Sequence, residues 1–145
     1  MTKIPDDNHI ARHCRWRNVH GSSVSGEEFE LKLEREEPEK YLSVNWLEKT
    51  GKKLLEDQLT AIRKQIPLTP KAKDRLARLH VGSTKAQVYE NVDSLEISFH
   101  LIGGRRRGTY SGIFDIPMIK RTSKAVGVQL AIVASGNLHP AVEPT

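Results

Sequence analysis

The most regular alternation of apolar and polar positions runs from Leu95 to Leu101. Leu95, Ile97, Phe99 and Leu101 alternate with Glu96, Ser98 and His100, the two-residue period of a strand with one buried face. Gly103 and Gly104 close it. Upstream, Ala77, Leu79 and Val81 share one side of a strand over 76–81, with Leu76, Arg78 and His80 on the other. A helix competes there, with Thr69 as cap, Pro70 in the first turn and Gly82 as stop; the strand is the preferred reading. Between these strands, Thr84 and Gln87 have the spacing of a capping box. That spacing predicts a helix over 84–92, with Ala86, Tyr89 and Val92 facing inward. The connection is close to the minimum for a parallel crossover, so an antiparallel arrangement stays open.

The same periods place the remaining elements. Phe29, Leu31 and Leu33 alternate with charged residues, which predicts an edge-like strand over 28–33. The charged run over 34–40 is a turn, and Leu42, Val44 and Trp46 mark a second strand over 41–46, so the two form a hairpin. Leu55, Leu59, Ile62 and Ile66 make an apolar stripe at helical spacing, a helix over 53–66 that Pro67 stops. Over 122–135 two periods compete. Val126, Val128, Leu130 and Ile132 alternate as in a strand. Val126, Leu130 and Val133 fit a helix with Thr122 or Ser123 as cap and Gly136 beyond its end; the helix is preferred. The expected class is α+β: a mixed or antiparallel four-stranded sheet packed against about three helices. The expected organisation is a partly irregular arm over 1–26, a single domain over 27–136 and a loosely ordered tail over 137–145.

Composition narrows the class. The 145 residues suit one domain, and 37% hydrophobic content is enough for a core. No apolar run approaches the roughly 20 residues that span a bilayer, and the N-terminal residues lack a signal-peptide core. A soluble, cytoplasmic protein without membrane contact is expected. The single cysteine, Cys14, excludes an intrachain disulfide. Net charge is +5, unevenly placed: residues 1–60 carry ten Lys or Arg against twelve Asp or Glu, and residues 61–145 carry thirteen against six. Such asymmetry points toward a nucleic acid or an acidic protein partner.

Three groups carry candidate chemistry. Arg12, Arg15 and Arg17 flank Trp16, a pattern in which guanidinium groups meet phosphates and an indole stacks on a base. Arg105, Arg106 and Arg107 lie between glycines and give a second polyanion-binding candidate; its plainer reading is a solvated hairpin tip. His9 and His13, four apart on an expected helical turn, could ligate zinc with the Cys14 thiolate, although no zincin pattern or second cysteine completes the site. For catalysis, His100 is the candidate base, oriented by Glu96, with Ser111 or Tyr110 assisting at a phosphate-containing substrate. On a strand Glu96 and His100 stand roughly 13 Å apart, so substrate would have to lie between them. No cofactor motif is present and none is expected. The leading expectation is a small binding protein for nucleic acid or an acidic protein. A small hydrolase or nuclease-like enzyme and a regulatory subunit of a larger complex are the alternatives.

Overall fold

The computed structural model describes residues 1–67, 69–104 and 108–143. Among these residues, seven strands form one antiparallel sheet. They are β1 (Thr2–Lys3), β2 (His9–Cys14), β5 (Leu42–Trp46), β6 (Arg75–His80), β7 (Ser98–Leu101), β8 (Tyr110–Phe114) and β9 (Leu138–Pro140). Their spatial order is β1-β7-β8-β5-β2-β6-β9. A separate two-stranded hairpin pairs β3 (Val19–His20) with β4 (Ser23–Val24). The described residues also form three α-helices: α1 (Leu55–Gln65), α2 (Val81–Asn91) and α3 (Lys120–Ala134).

The sheet has helices on both faces. Ile10, Val44, Leu79, Phe99 and Ile113 project to one side and pack with Val88 of α2 and Val126 and Leu130 of α3. Ala11, Leu47 and Leu76 project to the other side and pack with Leu59 and Ile62 of α1. Strand alternation sorts neighbouring residues onto opposite faces, so one strand serves two apolar clusters.

The helical stripe of α1 and the strands over 42–46 and 75–80 lie where the periodicity places them. The strand–helix–strand unit is real, but β6 and β7 are not neighbours. Three strands separate them, and four successive antiparallel pairings leave them pointing the same way. Helix α2 begins at Val81, three residues earlier than the capping box implied. His80 is the capping residue, its ring nitrogen accepting from the Ser83 N–H. The earlier start rotates the buried face to Val81, Thr84 and Val88, leaving Ala86 and Tyr89 exposed.

Four expectations are corrected. The sheet has seven strands rather than four, because β1, β2, β8 and β9 were not read as strands. His9–Cys14, expected as a helical turn of an arm, is an inner strand paired on both sides, with β5 and β6. The tail is tied down where Leu138–Pro140 pairs with β6 and Ala141 is fully buried. Residues 28–33 form no strand: Gly26–Phe29 is a 3-10 turn capped by Ser25. Phe29 and Leu31 are buried as their alternation implied, but no neighbouring strand pairs with them. The Leu31 N–H donates to Ser123 Oγ and the Lys32 N–H to Glu39 Oε1. The ladder over 95–101 likewise begins only at Ser98.

The turn at Gly26–Phe29 is seated directly on α3. A Cβ at Gly127 would stand 2.7 Å from the Gly26 carbonyl oxygen. Alanine is the better helix former by about 1 kcal/mol, yet Gly127→Ala is expected to destabilise the fold by about 1–3 kcal/mol through overpacking. Thermal melts measure it, and a raised Tm would show that the turn can lift off the helix.

Candidate functional site

Strand β2 ends at Cys14, and the chain turns at once into the 3-10 helix Trp16–Asn18. Two carboxylates fix this turn. Asp74, buried, accepts the Trp16 N–H at 2.9 Å and the Lys71 N–H at 2.9 Å, and its second contact to the β2 end is His13 Nε2 at 2.8 Å. Glu28, buried, accepts the Arg15 N–H at 2.8 Å and the Asn18 side-chain amide at 2.6 Å, with the Arg15 guanidinium at 3.4 Å. For both, burial favours the neutral acid. It is outweighed for Asp74 by the Lys71 N–H, His13 and the Trp16 N–H, and for Glu28 by the Arg15 N–H and Asn18. Both carboxyls are therefore held below their ordinary range.

Around this turn opens a cleft of about 610 Å³. Its walls come from four separated segments: 12–17, 28–39, 66–74, and the facing positions Ser43, Asn45 and Tyr110 of β5 and β8. Arg12, Arg15, Trp16 and Arg17, grouped on sequence as polyanion contacts, all line it, together with Lys32, Arg35 and Lys71. The acidic residues on its walls are Glu28, Glu39 and Asp74. Each accepts at least one backbone N–H: Arg15's, Lys32's and Lys71's respectively. Trp16 is 49% exposed, whereas Arg17 and Arg35 are exposed and make no hydrogen bond or ion pair with the described residues.

Beside the cleft, the sheet face of β5 and β8 carries an aromatic strip. The Tyr110 hydroxyl lies 2.9 Å from Ser43 Oγ and 3.0 Å from the Tyr41 hydroxyl. Tyr41 stacks on Phe114 with ring centroids 4.9 Å apart, and His100 meets Phe114 edge-on. Gly112 makes room for this: a Cβ there would fall 2.7 Å from Phe114 and 2.8 Å from Tyr41.

The other candidates do not converge. His9 and His13 stand roughly 13 Å apart on an extended strand rather than on one helical turn. Each has its own carboxylate: Glu48 at 2.6 Å for His9, and Asp74 for His13. Cys14 projects into the apolar core, and burial pushes its thiol up to about 12. No cluster of three or more His, Cys, Asp or Glu side chains able to hold a metal occurs among the described residues. Ser111 is fully buried on the opposite face from Tyr110 and donates to the Thr109 carbonyl. Glu96 is exposed in the segment before β7, beside Lys3 and Lys85, and is not on His100's strand. His100 Nδ1 is buried with no partner among the described residues. Arg105, Arg106 and Arg107 lie outside the described residues. Sequence reasoning missed Asp74 and Glu28, whose roles depend on contacts 58 and 13 residues away, and it missed Lys32, Arg35 and Lys71 for the same reason.

No family model, curated protein or solved structure matches this chain. Among the described residues, no helix is long and apolar enough to cross a membrane.

Two outcomes are expected from this geometry. Asp74 has its pKa depressed by folding, so its stabilisation is full above the ordinary carboxylate value of about 4 and is lost as pH falls through the depressed one. Asp74→Asn should cost about 2 kcal/mol at pH 7 and flatten the acid limb of the stability curve in urea melts at pH 7 and pH 3. Cys14 should resist a thiol reagent at pH 8 in the native state and react only in denaturant; rapid native labelling would contradict its burial.

Proposed function

We propose that the cleft binds single-stranded nucleic acid. The observation that carries this reading is the convergence of Arg12, Arg15, Arg17, Lys32, Arg35 and Lys71 around a half-exposed Trp16. The carboxylates on the same walls are engaged with backbone donors. Cationic side chains that track a phosphate backbone, with an aromatic ring for the bases, are the common design of sequence-tolerant single-strand sites. The strip of Tyr41, Tyr110 and Phe114 extends the aromatic surface along the sheet. A hydrolase or nuclease built on His100, Glu96 and Ser111 draws no support from the geometry, because these groups do not face one space. A subunit role in a larger complex has no specific observation in its favour.

The test is fluorescence anisotropy with a labelled ten-nucleotide single strand. If about three phosphates are neutralised, the dissociation constant should rise roughly 20-fold between 50 and 200 mM salt. Trp16→Ala should weaken binding about 10-fold through lost stacking, and Arg17→Glu with Arg35→Glu should abolish it. Salt-independent binding, or no effect of these variants, would refute the reading. Equal affinity for a poly-glutamate peptide, unaffected by Trp16→Ala, would instead identify an acidic protein partner.

A further inference from the structure

Arg12 differs from the other cleft cations in how it is held. It sits where the ladder between β2 and β5 stops, the last paired positions being Ala11 and Asn45. Beyond that point its Nε donates to the Glu28 carbonyl at 2.6 Å and its Nη1 to the Ser43 carbonyl at 2.8 Å. The guanidinium carbon stands 5.8 Å from the centre of the Phe29 ring. The side chain is thus clamped on two sides by neutral groups. Arg12 forms no ion pair with any described residue. The acid whose carbonyl it takes, Glu28, spends its carboxylate on Arg15 and Asn18.

A guanidinium has five N–H donors, and two of Arg12's are accounted for. Burying a fixed positive charge is costly, and here nearby Glu28 and Glu39 offset only part of that cost without forming an ion pair. The side chain is partly buried, and that burial disfavours the charged form, although arginine stays protonated at neutral pH. An arginine retained only to satisfy two carbonyls would be an expensive choice. A fork anchored by two bonds and opening on a cationic cleft is instead preorganised for a planar, bidentate oxyanion contact.

We infer that Arg12 is the seat of a single phosphoryl group, the anchoring phosphate of the strand bound in the cleft. This inference rests on the nucleic-acid reading for the strand, but the seat itself can be tested without one. Arg15 also lines the cleft and is 41% exposed at its side chain, with its guanidinium paired to Glu28.

The experiment follows the arginine side-chain N–H signals of the ¹⁵N-labelled full chain during titration with inorganic phosphate, with chloride at matched ionic strength as control. The Arg12 signals should shift and saturate, while those of Arg17 and Arg35 move little. At ten times the dissociation constant, phosphate should raise Tm by about 4 °C. Arg12→Lys keeps the charge but loses the fork and should abolish that rise; should this variant fail to fold, the wild-type titration decides alone. No saturable Arg12 shift, or an unchanged phosphate response in Arg12→Lys, overturns the seat. A saturating Arg12 shift in a protein that binds no oligonucleotide upholds the seat and refutes the strand reading. Oligonucleotide binding that phosphate does not compete, with Arg12 silent, does the reverse. Strands with and without a 5′-phosphate then separate the two sources: a tenfold preference for the phosphorylated end assigns the seat to a terminal group, and equal affinity to a backbone diester.

Discussion

The architecture around the cleft depends on one buried carboxylate. Asp74 gathers a backbone N–H from Trp16, another from Lys71, and the His13 ring. These three come from the 3-10 turn, the connector before β6, and the inner strand β2. Withdrawing a carboxylate from water is unfavourable unless several donors compensate it, and here the compensation ties the turn and the connector to the end of the β2–β6 ladder, where Cys14 pairs with Arg75. The same bonds set where the indole of Trp16 begins and how the connector folds back. Glu28 repeats the arrangement with Arg15 and Asn18. Asp74 and Glu28 are thereby tied into the scaffold, while Arg17 and Arg35 of the same cleft face solvent.

Legibility in the sequence followed the range of the interactions. The apolar stripe of α1 and the alternation of β5 and β6 are encoded locally, and they lie where expected. Strand β2 is different. Its run His9, Ile10, Ala11, Arg12, His13, Cys14 has polar groups on both sides, and nothing local marks it as interior. Its conformation is imposed by β5 on one side and β6 on the other. Residues 28–33 show the converse failure. The alternation was genuine and the burial followed it, but Ser123 Oγ and Glu39 supply the partners that a neighbouring strand would have supplied.

The candidate site divides in the same way. Arg12, Arg15, Trp16 and Arg17 were recognisable because they are contiguous and chemically coherent. Lys32, Arg35 and Lys71 join them only through tertiary folding. The catalytic grouping disperses because Glu96 lies before β7 begins and Ser111 is buried on the face opposite its alternative Tyr110. The metal grouping failed because His9 and His13 share a face on a helix and on a strand alike, but at very different separations.

The position of β2 inside the sheet has a consequence for biosynthesis. His9 is paired with His80, so at ordinary elongation speeds of about 5–20 residues per second the early strand waits several seconds on the ribosome for its second neighbour. During that interval a segment with an apolar face and an unfilled edge is available to whatever else is close by. Chaperone demand and yield should therefore respond to translation speed between residues 15 and 80 more than to any later stretch of the message.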